Sequence, residues 1–256
     1  MSTAVGLSVT DLSVGYGGLV ANDRVSIDVR PGHVVGLIGP NGAGKSTFVD
    51  AVSGFVRSTG SVRLGDVSLD GLAPHERARL GLRRTWQSVE LFDDLTVRAN
   101  VGVAHQVVTP RSFLRDMVSP RRGATTAQVD RILRSLGLDD VADVTPRQLA
   151  LGQRKRLGVA RALAGSPAVA MLDEPAAGLD PTEREQLGAQ IRGLAEAGLG
   201  LLLIEHDVDM VLSTCDWVVV LNFGVVIAAG TPESIRHDQK VAEAYLGDRY
   251  RVGAPT

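Results

Sequence analysis

The residues best suited to chemistry begin at Gly39. The segment HVVGLIGPNGAGKSTF carries an apolar run into Gly39, Pro40, Asn41, Gly42, Ala43, Gly44, Lys45, Ser46 and Thr47, matching G-x-x-x-x-G-K-[ST] between an expected strand and an expected helix. Glycines there let backbone N–H groups turn inward around phosphate oxygens, and the helix N-terminus adds positive potential. Lys45 then reaches the β- and γ-phosphates, and the Ser46 hydroxyl is placed to ligate Mg²⁺. Only three lysines occur in the chain, so a chance match is rarer here than in an average sequence.

Cleaving a nucleoside triphosphate also needs acids at the end of a neighbouring strand. AVAMLDEP supplies Asp173, suited to Mg²⁺ directly or through water, and Glu174, suited to take a proton from an attacking water. Downstream, Asp180, Pro181 and Glu183 have the pattern of an N-cap, a first-turn proline and a capping-box partner. A role for Asp180 at the site is compatible with that cap. In LLLIEHDVDM, His206 falls where a parallel strand ends, either as a structural histidine or as a contact to the terminal phosphate.

Three weaker signals complete the set. Gln87, in RRTWQSVELF, is a polar residue in a strand-like stretch and by itself suggests no more than a surface turn. Tyr16, between glycines in LSVGYGG, is equally suited to stacking on a base and to packing on a sheet. In QLALGQRKRLGVARAL, a turn at Gly152 and Gln153 precedes a helical run, yet Arg154, Lys155 and Arg156 crowd a first turn where the helix dipole disfavours cations. They are either a solvated face or charge placed near an anion.

The elements that must position these residues are legible as short runs. LSVTDLSV, VSIDV, HVVGLIG and SVRLGDVSL suggest an N-terminal β-rich layer. AVAML, GLLLI and WVVVL are continuous apolar runs separated by helix-like segments, as in a parallel sheet covered on both faces. Between roughly 96 and 165 strand signals stop, and TTAQVDRILRSLGL places Val129, Ile132, Leu133 and Leu136 on one helical stripe, capped by Thr126 and ended by Gly137. TPRSFLRDMVSPRRG within that stretch is expected to be a surface loop with one short helix.

With 44% apolar and 22% charged residues among 256, the chain has the composition of a soluble protein with a full core. A net charge of −2 gives no general attraction to nucleic acid or anionic lipid, and none is expected as a partner. The single cysteine, Cys215, excludes an internal disulfide. LGLLLI and WVVVLNFGVVIAAG are too short to span a membrane and are expected as buried strands, while MSTAVGLSVT lacks the features of a secretory signal. A cytoplasmic protein that reaches a membrane only through a partner is the expectation.

Phosphate loop, Gln87, a Gly-Gln turn before a helix, Asp173-Glu174, Asp180 and His206, in this order, resemble the ATP-binding-cassette ATPases over nearly the whole chain. The resemblance implies one α/β phosphate-loop domain over residues 5–250, with an antiparallel β subdomain and a helical subdomain at about 92–165. It implies ATP and Mg²⁺ as cofactors, with Ser46, Gln87 and Asp173 toward the metal, Glu174 as general base and His206 on the γ-phosphate. It further implies that Tyr16 stacks on adenine, that Gln87 senses the membrane partner and that Asp180 lies on a dimer seam. Leu149, Ala150, Leu151, Gly152 and Gln153 match a signature, usually Leu-Ser-Gly-Gly-Gln, that reaches the γ-phosphate held by a second ATPase subunit. Ala150 departs from it by lacking the hydroxyl, and Trp86 stands where the family usually has phenylalanine.

Within that family, RRTWQSVELFDDLTVRANV, AAGLDPTE, LLIEHDVDMVLSTCDWVVVLNFGVVIAAGTPESIR and VAEAYLGD look like the subunits that energise branched-chain amino acid uptake. This implies membrane-spanning permease subunits, an indirect substrate-binding protein, and a peripheral place on the cytoplasmic face of the inner or plasma membrane. Lipopolysaccharide-type export, urea or amide import, and a nucleotide-binding protein of low turnover are the alternatives. The second ATPase subunit is either another copy or a different chain. A guanine-specific Asn-Lys-x-Asp is excluded, since none of the lysines has that context.

Overall fold

A computed structural model describes residues 5–86, 90–105 and 126–251. The N-terminal runs form a four-stranded antiparallel sheet in the order β2-β1-β4-β5, from β1 (Leu7–Tyr16), β2 (Leu19–Val29), β4 (Thr59–Leu64) and β5 (Val67–Ser68). β1 and β2 alternate buried and exposed residues, as a sheet with one covered face should. One of the expected strands, β3 (Val34–Ile38), leaves this layer for a second sheet, because all five of its residues are buried.

That second sheet has the order β10-β9-β3-β8-β7-β6. It adds β6 (Leu82–Arg84), β7 (Val169–Asp173), β8 (Gly200–Ile204), β9 (Trp217–Asn222) and β10 (Val225–Gly230). β9, β3, β8, β7 and β6 pair in parallel, and β10 returns antiparallel on β9. β7 and β8 are, like β3, buried at every position. The run from Trp217 was expected to be buried throughout, but it breaks into a hairpin at Phe223-Gly224. β10 then lies at the sheet edge with Val225 and Val226 exposed. An edge strand has no neighbour to cover its outer side.

Successive residues of the central strands point into different cores. Val35, Leu37, Leu202 and Ile204 join the antiparallel sheet and α1 (Lys45–Ser53), whereas Val34, Ile38, Leu201 and Leu203 join the helices on the other face. The other α-helices among the described residues are α2 (Pro74–Leu80), α3 (Val97–His105), α4 (Thr126–Ser135), α5 (Leu151–Leu163), α6 (Pro181–Glu196), α7 (Val208–Thr214), α8 (Pro232–Arg236) and α9 (Gln239–Arg251). The expected stripe holds, with Val129 and Leu133 buried on α4, Leu136 buried just past its end, Ile132 packed beside them and Gly137 in the left-handed region at φ 59°, but Thr126, expected as the cap, is the first residue of the helix itself. TPRSFLRDMVSPRRG lies outside the described residues. No helix among the described residues is long and apolar enough to cross a membrane.

Phe48 on α1 is fully buried in the core shared with the antiparallel sheet. Phe48→Ala should therefore destabilise the protein by about 3–5 kcal/mol, measured as a lower urea midpoint with an unchanged slope.

Candidate functional site

In a parallel sheet, the carboxyl ends of neighbouring strands open onto one edge. β3, β8 and β7 are such neighbours, so the segments that follow them share that edge. After β3 comes the loop from Gly39 to Gly44, after β7 Glu174, and after β8 Glu205 and His206.

The loop turns into α1 at Gly44, which has φ 100°; a Cβ there would lie 2.5 Å from Ala21 O and 2.7 Å from Asn22 Nδ2. Asn22 on β2 is fully buried and its Nδ2 donates to Gly44 O at 3.2 Å, bracing the turn from the antiparallel sheet. Lys45 is buried too, and its Nζ donates to Gly39 O at 2.6 Å and to Pro40 O at 3.1 Å. Burial pushes its proton affinity below the usual lysine range, while Glu174 and Asp173 pull the other way. Asn41, Gly42 and Ser46 are exposed along the loop and first helical turn, Ala43 is buried, and Thr47 is half-buried.

Asp173 ends β7 with 5% exposure. Its N–H donates to Thr85 Oγ1 at 2.9 Å, and Arg84 Nη2 donates to its Oδ2 at 3.3 Å. Burial raises its carboxyl above the ordinary range, with Arg84 opposing that shift and Glu174 and Asp50 adding to it. Glu174 sits in the left-handed region at φ 46°, a conformation uncommon outside glycine, and its N–H donates to Ile204 O at 2.9 Å. The peptide turn after β7 is thereby tied to the end of β8.

Glu205 is fully buried beneath that turn. Its Oε1 accepts from Ala176 N at 2.8 Å and its Oε2 lies 3.7 Å from His206 Nδ1. Burial raises its carboxyl as well, against the Ala176 hydrogen bond and the His206 ring. The His206 side chain is exposed. Tyr16 closes β1 opposite Leu19 across a Gly17-Gly18 turn, half-exposed. Gln87 lies outside the described residues.

Ala150, Gly152, Gln153 and Asp180 come together as a second group. The helix starts earlier than the sequence suggests: Ala150 is the N-cap of α5, and Gly152 and Gln153 lie inside its first turn. Alanine has no acceptor for the free N–H groups, so only the return half of a capping box forms, with Ala150 N donating to Gln153 Oε1 at 3.0 Å. Gly152 packs against Glu183, where a Cβ would meet Oε1 at 2.5 Å. Glu183 completes a full box on α6: its N–H donates to Asp180 Oδ1 at 2.9 Å, and its Oε2 accepts from Asp180 N at 3.2 Å. Among the described residues no hydrogen bond or ion pair joins this group to the phosphate loop.

The three cations divide. Arg154 reaches Pro146 O and Asp93, and Arg156 reaches Gly152 O and Leu136 O, so both are used locally. The Lys155 side chain makes no hydrogen bond or ion pair among the described residues. Sequence reasoning missed Asn22, Arg84 and Glu205. Glu205 carried a usable signal, an acid ending an apolar strand as at Asp173; Arg84 meets a partner 89 positions away and carried none.

The profile of a family described as ABC transporter matches residues 22–177, and one described as branched-chain amino acid ATP-binding cassette transporter matches residues 225–251. The high-affinity branched-chain amino acid transport ATP-binding protein LivG of Escherichia coli strain K12 is 41% identical over 249 residues, covering 94% of this chain and 98% of its own. Its counterpart BraF of Pseudomonas aeruginosa is 40% identical with the same coverage. The lipopolysaccharide export system ATP-binding protein LptB of Escherichia coli is 34% identical, covering 96% of this chain and 99% of its own. A crystal structure of a nucleotide-free ATP-binding cassette from an ABC transporter superposes with a TM-score of 0.82 at 29% identity, over 94% of this chain and 98% of that one.

Removing the Asp180 carboxylate takes away the acceptor for the Glu183 N–H. Asp180→Ala should cost about 0.5–2 kcal/mol of stability, read by thermal or urea unfolding, while Asp180→Asn should recover most of it.

Proposed function

Because the chain belongs to the ABC transporter family, we propose that it is the ATP-hydrolysing subunit of a membrane importer for branched-chain or other hydrophobic amino acids. The observation that carries the chemistry is the shared edge of β3, β7 and β8, where the buried lysine of a phosphate-type loop lies within charge range of two adjacent carboxylates and an exposed histidine follows β8. The 40–41% identity to LivG and BraF supports the substrate class.

In this reading the backbone from Gly39 to Gly44 and the N-terminus of α1 wrap the phosphates, with Pro40, Asn41, Gly42 and Ala43 presenting the loop and Thr47 on the first turn. Lys45 exchanges its loop carbonyls for phosphate oxygens, and Tyr16 stacks on the adenine. The Ser46 hydroxyl, Asp173 and Gln87 would hold Mg²⁺, which neutralises phosphate charge when bound. The donors fit: a hydroxyl and a buried carboxylate are hard oxygen ligands, and Mg²⁺ is usually held by one or two carboxylates with phosphate and water completing its shell. Glu174 accepts the proton of the attacking water, and His206, steadied from below by Glu205, touches the γ-phosphate. A second ATPase subunit, identical or different, presents Ala150, Gly152, Gln153 and the N-terminus of α5 to that phosphate, with Asp180 on the seam. Permease subunits carry the chain on the cytoplasmic face of the membrane, and a substrate-binding protein acts through them.

Two outcomes test this. Glu174→Gln keeps volume but removes the base, so Mg²⁺-dependent phosphate release should vanish while calorimetry still records ATP binding; hydrolysis at the parent rate would remove the base assignment. The hydroxyl missing at Ala150 is worth about 1.5–3 kcal/mol if nothing replaces it. Ala150→Ser should raise turnover, by about tenfold for the lower figure, and an unchanged rate would mean that the backbone N–H groups of α5 suffice.

A further inference from the structure

Arg84 makes contacts that no step above uses. Its Nη1 donates to Asp50 Oδ1 at 2.6 Å and its Nη2 to Asp173 Oδ2 at 3.3 Å. Its guanidinium carbon lies 4.3 Å from the ring centroid of Trp86 and 5.9 Å from that of Phe55, and these rings meet edge-on at 5.1 Å. The Arg84 side chain is 10% exposed, whereas Trp86 and Phe55 are each 52% exposed. One sheltered cation therefore joins the carboxylate ending β7 to two aromatic rings that wall an open groove of about 500 Å³, shared with His75 and Arg83.

A cation held against Asp173 competes with any second cation for the same oxygen. A buried carboxylate is costly when uncompensated, so some positive charge must stay beside Asp173 at every stage. Arginine suits this place because its planar fork grips two carboxylates while its face stacks on indole, which a lysine cannot do. Asp50 retains the guanidinium through Nη1, so release of Nη2 pivots the side chain against Trp86 without freeing it.

We propose that Arg84 is a positioning residue that neutralises Asp173 until Mg²⁺ arrives with ATP, and that its displacement from Oδ2 is passed to Trp86 and Phe55. The proposal rests on the ATPase reading above. Linkage makes the effect reciprocal: whatever packs on the two rings changes the affinity of the metal site, and metal at Asp173 changes the groove wall.

The sequence has two tryptophans, so Trp217→Phe leaves Trp86 as the sole reporter. With a β,γ-imido ATP analogue bound, Mg²⁺ should change Trp86 emission in a saturable way. In the same background, Arg84→Gln should abolish that change and lower the Mg²⁺ midpoint, measured separately by calorimetry, about threefold or more. Arg84→Lys keeps the charge but not the stack, so its midpoint should stay near that of the parent while Trp86 falls silent. A persistent Trp86 response in Arg84→Gln, or a higher Mg²⁺ midpoint, overturns the proposal; if that variant does not fold, a full response in Arg84→Lys overturns it instead. Failure of the parent to bind the analogue would remove the ATPase reading and this proposal together. Analogue and Mg²⁺ binding with a silent Trp86 would remove the relay alone.

Discussion

A carboxylate buried at the end of an apolar strand is the constraint around which this protein is organised. Asp173 follows four buried apolar residues, and its desolvation must be offset by neighbours. The offset is distributed: Arg84 donates directly to Asp173, Thr85 accepts from its backbone, and the Lys45 ammonium lies close enough for its charge to matter. Arg84 and Thr85 come from the end of β6, and Lys45 from the start of α1. The end of β7 therefore keeps its form only while the phosphate loop, β6 and the central sheet hold their places.

The same economy governs the turn that follows. Glu174 adopts a backbone conformation that costs a non-glycine residue free energy, of order 1–3 kcal/mol. The turn is fastened by Glu174 N–H on Ile204 and by Ala176 N–H on the buried Glu205. Strain of this kind persists where the surroundings over-determine the backbone. Glu174 is close enough there for its charge to act on Lys45. The second group, from Ala150 to Asp180, is built with local hydrogen bonds at two helix N-termini, and Glu183 joins them by packing on Gly152 while capping with Asp180. Ala150, Leu151 and Asp180 are exposed there, whereas Gly152 is buried.

Much of this was legible along the chain. The phosphate loop, the Asp173-Glu174 pair, His206 and the Asp180 cap are local patterns whose geometry follows from a few neighbouring residues. The three central strands were legible because burial on both faces demands unbroken apolar runs. Less visible was the assignment of β3 to the parallel sheet, since a short apolar run does not state its partners. The exposure of β10 was hidden for a related reason: its residues are as apolar as those of β9, and only its edge position uncovers them. At the α5 N-terminus, Gly152 suggested a turn where the chain already forms a helix, because packing on Glu183 rewards a small residue inside the first turn.

Sequence alone determined the family of chemistry, because a phosphate loop is a property of consecutive backbone groups and an acidic strand end is a property of one short run. Tertiary structure alone decided how those charges are compensated. Arg84 lies 34 positions from Asp50 and 89 from Asp173, and Asn22 lies 22 from Gly44. No periodicity links such residues. Their contacts exist because two sheets and a helix bring the chain together around a carboxylate almost wholly withdrawn from water.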